Sequence, residues 1–233
     1  EIFTNQYHKK FLHQLVSSQL DMDRLDYLSR DSFFSGVSEG IIGAARIIKM
    51  LNVHNDQLVV DIKGIYSVEK FLVARRLMYW QVYLHKTSVA AEKMLVNILK
   101  RAKELAAAGH DLFGSPALRF FLYNTFDRSS FKQSDKALEM FALLDDSALV
   151  CAIKVWSSHD DMVLSTLCRD FTNRRLFKVE INAEALTQEK QNEYLQQYMQ
   201  HFGVNKKEAQ YFMGDELVST DTYSPEDENI NIL

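Results

Sequence analysis

Residues 17–31 read SSQLDMDRLDYLSRD, and their spacing sets how the rest of the chain is read. On a helix turning about 100° per residue, with Asp23 as origin, Tyr27 falls at about 40°, Asp31 at about 80° and Arg24 at about 100°. Leu28 and Leu25 fall on the other side, at about 140° and 200°. One short helix therefore carries a carboxylate, a guanidinium, a phenol and a second carboxylate on a single face. Two readings fit that face. It is a solvated amphipathic surface with local ion pairs, or it is the polar wall of a cleft. Asp26 and Arg30 stand four apart, the spacing of a surface ion pair.

Outward from this segment the pattern is helical. With two Pro and eight Gly in 233 residues, breakers are too scarce for an all-β fold. Residues 5–16, 21–34 (ending near Gly36) and 40–50 read as helices. LNVHNDQLVVDIKG then reads as a hairpin turning at Asn55-Asp56, with Leu58, Val60 and Ile62 alternating. Ser67 is the expected cap of a long helix ending near Lys86, and another helix covers 88–108. Ser115-Pro116 marks a cap followed by a first-turn proline, opening a helix through Tyr123. Shorter helices are expected at 134–144, 146–157 and 160–172, the last starting from Ser158 with Asp161 three residues on. NRRLFKVEIN, near Arg174, reads as a strand. A helix follows over 187–202, and Asn205 with Glu208 forms a capping pattern ahead of Phe212. The tail turns acidic at Asp215, Glu216, Asp221, Glu226, Asp227 and Glu228, without the glycine and alternating ligands of a calcium loop, so a solvated extension is expected. The fold class is therefore mainly α, a helical bundle with a short β-hairpin and a small α+β subdomain. The domains are expected at 1–173 and 174–233.

The motif D-x-D-[RK]-x-D-Y-x-x-R-D of residues 21–31 resembles the last motif of HD-domain phosphohydrolases, in the branch of the deoxynucleoside triphosphate triphosphohydrolases. The resemblance implies that Asp23 is a metal ligand and that Arg24 faces substrate phosphate. It also implies that Tyr27 and Asp31 stand beside the sugar and the scissile phosphate. A second segment, YSVEKFLVARRLMYWQVYLHK (66–86), resembles the family's long helix. There Arg75 would meet the triphosphate and Tyr83 the sugar; on a regular helix they lie about 80° apart. Planar Arg suits phosphate because it donates two hydrogen bonds at once. His85 and Lys86 match positions that bind an effector nucleotide in regulated members, although Gln81 stands where those members carry Arg. Helix-rich members assemble as homo-oligomers, which the resemblance extends to this chain.

In the family a His and a His-Asp pair precede the final Asp of the metal site. Only 22 residues precede Asp23 here, and neither His8 nor His13 is followed by Asp. His8 and His13 read as helix-surface residues, and His110-Asp111 and His159-Asp160 fall on the wrong side of Asp23. A fragment of a longer polypeptide is therefore expected, inactive by itself and holding no metal, with a divalent ion bound only in the intact protein. The activity implied is hydrolysis of a deoxynucleoside triphosphate to nucleoside and triphosphate. The alternatives are an HD hydrolase of another phosphoester and a non-enzymatic helical module that binds nucleotides or partners.

A net charge of −4 gives no basic signature of a nucleic-acid binder. No apolar run reaches the roughly 20 residues of a membrane helix. Cys151 and Cys168 fit neither a zinc nor a disulfide framework, and both are expected as buried thiols in a reducing cytoplasm.

Overall fold

The computed structural model describes residues 1–182, 184, 186–218 and 229–233. They divide into two compact units, one of Glu1–His85 with Leu217–Leu233, the other Lys86–Glu216. The architecture is mainly α, with a three-stranded sheet as its β component.

In the first unit, α1 (Lys10–Val16) is followed by α2 (Met22–Ser35), which carries the opening motif. Asp21 caps α2 by accepting the Arg24 amide, and Gly36 ends it in the left-handed region at φ 73°. A 3₁₀ turn (Ser38–Gly40) leads to α3 (Ala44–Met50). Gly40 of this turn packs against both α2 and the next long helix. A Cβ there would stand 2.7 Å from Ser32 Cβ and 2.9 Å from Met78 Sδ, so no larger residue fits. β1 (Leu51–His54) and β2 (Gln57–Val60) form the expected hairpin. Asn55 and Asp56 both take positive φ, as a tight primed turn requires. Gln14 of α1 docks on this hairpin. Its side chain accepts from the Leu58 amide at 2.7 Å and donates to Gln57 Oε1 at 2.8 Å.

A second 3₁₀ turn (Ile62–Gly64) opens α4 (Ile65–Met78), which continues as a π turn over Tyr79–Tyr83. β3 (Asn231–Ile232) adds in parallel to β2. Leu25, Leu28, Ile47, Val60, Phe71 and Met78 form the apolar core beneath these elements.

The second unit opens with α5 (Lys86–Ala107). Then come α6 (Pro116–Tyr123), α7 (Arg128–Lys132), α8 (Asp135–Ala142), α9 (Asp146–Trp156) and α10 (Met162–Thr172). α11 (Gln188–Phe202) and α12 (Lys206–Ala209) follow. Its core packs Met94 and Ile98 of α5 against Trp156, Leu164 and Leu167. Arg101 of α5 ties the polar edge. It makes a two-pronged contact with Asp161 (3.1 and 2.5 Å) and reaches Glu104 (3.3 Å) and Glu208 (3.4 Å). Burial pushes the Asp161 carboxyl up, yet Arg101 and the Leu164 amide together hold it below its usual range.

Several expectations are corrected. α1 starts at Lys10 rather than at residue 5, and Gly64, not Ser67, precedes α4. Asp161 rather than Ser158 caps α10, accepting the Leu164 amide at 2.8 Å. No strand forms over 173–182. Arg174 turns the chain at φ 57°, and Leu176 and Phe177 pack on the core of the second unit. Tyr198, Phe202 and Phe212 pack on that same core, and the compact units part at residues 85/86 and 216/217. Cys151 is exposed. Cys168 is buried, which pushes its thiol up to about 12 and leaves it unreactive. Of the acidic tail, Asp221, Glu226, Asp227 and Glu228 lie outside the described residues.

Candidate functional site

The polar face of α2 and the polar face of α4 with its π turn meet in the first unit. Tyr83 donates its hydroxyl to Asp31 Oδ2 at 2.8 Å, joining two residues 52 apart in sequence. The Tyr27 ring sits edge-on to Tyr83, with centroids 6.0 Å apart, and Tyr79 sits edge-on to Tyr83 at 5.2 Å. The Arg75 guanidinium lies 5.9 Å from the Tyr79 ring centroid and is buried. Burial pushes the Tyr27 phenol up to about 12, helped by Tyr79 and opposed by the positive charges of Arg75 and Arg24. Both guanidiniums therefore act on this phenol. Burial and then the Asp31 contact raise the Tyr83 phenol as well. Both phenols stay neutral across the physiological range and can serve as hydrogen-bond donors.

Arg24 is turned back along its own chain. Its Nη1 contacts the Asp21 carboxylate and the Ser18 carbonyl. Asp21 is buried, and it holds the helix amide and the guanidinium at once. Asp23 lies one residue before Arg24 in the first turn of α2 and is exposed. Asp26 and Arg30 form the expected pair at 3.0 Å, on the solvent side. His85 and Lys86 are exposed.

Of the residues singled out from the sequence, Arg24, Tyr27, Asp31, Arg75 and Tyr83 form one cluster. Asp23 stands exposed in the first turn of α2. Two members were missed. Tyr79 is visible in retrospect as the middle rung of a four-residue ladder, Arg75–Tyr79–Tyr83. Gln19 accepts from Arg75 Nη1 at 3.0 Å and carries no sequence signal beyond its place in the polar run before α2. The π turn was also unforeseen. Its Leu84 amide bonds back five residues to Tyr79 at 2.7 Å, so the Arg75–Tyr83 angle is not that of a regular helix.

The residues present do not fit a divalent ion by themselves. Asp23 is a single carboxylate, and Asp21 is committed to Arg24. Among the described residues, no group of three His, Cys, Asp or Glu side chains converges on one point. In the second unit the His110 and His159 rings come within 6.2 Å. His159 Nδ1 accepts the Asp161 amide and Asp111 pairs with Arg119, so neither His-Asp dipeptide forms a ligand set. His13 Nδ1 bonds the Ile2 carbonyl, a structural contact.

Residues 42–112 match the family model described as "HD associated region". A solved phosphohydrolase from Bacteroides thetaiotaomicron VPI-5482 superposes with a TM-score of 0.95 at 56% identity. The match covers 99% of this chain and 57% of that one. This likeness supports the HD-domain phosphohydrolase family. The Bacillus subtilis protein YwfO is 37% identical over 78% of this chain and 40% of its own length. A Dictyostelium discoideum protein named as a deoxynucleoside triphosphate triphosphohydrolase SAMHD1 homolog is 28% identical over 41% of this chain and 19% of its own. The chain thus spans about two fifths of YwfO and 57% of the solved phosphohydrolase. Among the described residues no helix is long and apolar enough to cross a membrane.

Proposed function

We propose that the intact protein hydrolyses deoxynucleoside triphosphates to nucleoside and inorganic triphosphate. The observation that carries this reading is the convergence of Arg75, Tyr27, Tyr83 and Asp31, two of them joined by the 2.8 Å Tyr83–Asp31 contact. In this reaction the oxygen of water bonds to the α-phosphorus, the bond to the sugar O5′ breaks, and a proton ends on O5′. The triphosphate carries the charge that must be stabilised, and preorganised guanidiniums in a partly dry site are suited to that. Arg75 and Arg24 take this role. The Tyr27 and Tyr83 rings pack the sugar, and Asp31, held by the Tyr83 hydroxyl, orients the group near the leaving oxygen.

Asp23 is proposed as one carboxylate of a divalent-metal site whose other ligands would come from outside these 233 residues. His85 and Lys86 are proposed as contacts for an effector nucleotide. A homo-oligomer and a cytoplasmic location complete the proposal.

The test is product analysis of the intact protein supplied with dNTPs and divalent ions. Anion-exchange chromatography should resolve inorganic triphosphate as the product, and Asp23→Ala should abolish it while the circular-dichroism spectrum is retained. A folded intact protein that binds no metal and releases no phosphate species from dNTPs would refute the reading.

A further inference from the structure

Arg75 is 6% exposed, an uncommon burial for a guanidinium, and no carboxylate among the described residues pairs with it. Arg75 Nη1 donates to the neutral amide oxygen of Gln19, itself 6% exposed. Arg75 Nε is buried and has no acceptor among the described residues. A buried donor left without an acceptor costs about 1–3 kcal/mol, so this Nε is a donor open to an incoming acceptor, a phosphate oxygen or a water. Gln19 stands in the short non-helical stretch between α1 and α2. That same stretch supplies the Ser18 carbonyl and Asp21 carboxylate that hold Arg24. One segment thus anchors both guanidiniums.

We infer that Gln19 is a positioning residue that fixes the Arg75 guanidinium for phosphate. The chemistry explains why an amide serves here. A neutral acceptor restrains the guanidinium plane without cancelling its charge, whereas a carboxylate would pair with Arg75 and compete with the anion. The inference rests on the reading above, in which Arg75 meets the triphosphate.

The experiment is a double-mutant cycle in the intact protein, with inorganic tripolyphosphate as the probe and calorimetry as the readout. Gln19→Met should weaken tripolyphosphate binding about tenfold when Arg75 is present. It should change binding less than twofold in the Arg75→Ala background, because a residue that acts through Arg75 has nothing left to act on. In dNTP turnover Gln19→Met should raise KM more than it lowers kcat. Equal weakening in both backgrounds, or none in either, overturns the positioning role while leaving the phosphate reading intact. If Arg75→Ala itself leaves tripolyphosphate binding unchanged, the phosphate reading falls and the inference falls with it. Should Gln19→Met fail to fold, the same cycle with Gln19→Asn, which keeps the amide and draws its oxygen back by one methylene, decides on the same criteria.

Discussion

Arg75 in the first unit and Arg101 in the second are both shielded, and each lies against a tyrosine ring, at 5.9 Å from Tyr79 and 5.8 Å from Tyr211. Their partners differ. Arg101 is surrounded by Asp161, Glu104 and Glu208, and its pKa is raised chiefly by the Asp161 hydrogen bond. Among the described residues Arg75 has a neutral amide as acceptor and a buried Nε without one. A saturated guanidinium has its charge answered within the fold, and its role is to hold α5, α10 and α12 together. An under-satisfied one keeps charge and donors in reserve for an anion. Burial alone does not separate these roles; the count and charge of acceptors does.

The largest expected effect lies with Arg101. Arg101→Met takes the guanidinium from Asp161 and Glu208, while Glu104 keeps Lys207, and should cost about 3 kcal/mol, the lower end for breaking a shielded pair, seen as a lowered urea midpoint. Turnover per folded molecule should be unchanged. Arg75→Met should do the reverse, cutting dNTP turnover roughly 100-fold with the urea midpoint nearly unmoved. Equal unfolding by both substitutions would erase the distinction. Tyr83→Phe keeps the ring and removes the 2.8 Å contact to Asp31, and should cost about 1 kcal/mol by urea titration.

The raised phenols sharpen the contrast through pH. An unfolded tyrosine ionises near pH ~10, and the folded chain holds Tyr27 at about 12, with Tyr83 shifted the same way. Their contribution is complete below pH ~10 and is lost as pH climbs toward the folded values. The melting temperature should fall by about 2–4 °C between pH 9 and 11, and less in Tyr83→Phe. The smallest effect belongs to Asp26→Ala. Its partner Arg30 is solvent-exposed, so the loss should be about 0.3 kcal/mol, with turnover untouched.

The legible parts of the sequence were those with local causes. Ser115-Pro116 and the Asn205–Glu208 box cap helices where expected, because each cap is written in three or four consecutive residues. The Asn55-Asp56 hairpin follows for the same reason. The stretch 173–182 reads as a strand by alternation, yet no partner strand among the described residues pairs with it, and Leu176 and Phe177 pack on the core instead. In the site, helical period placed the α2 residues on one face but left two readings of that face open. The π turn was not legible, since it follows from how α4 ends against its neighbours. Nor was Gln19, whose role exists only once a residue 56 positions away folds back onto it.

The pairing of β3 with β2 has a consequence for synthesis. Leu233 accepts the Ile62 amide and donates to the Val60 carbonyl, both at 2.8 Å. Yet residues 229–233 leave the ribosome after every residue of Lys86–Glu216. The unit that begins first is thus finished last, and its sheet waits with one edge open while the intervening helices are made. A nascent-chain arrest series should show α5–α12 protected from protease before the hairpin's outer edge is.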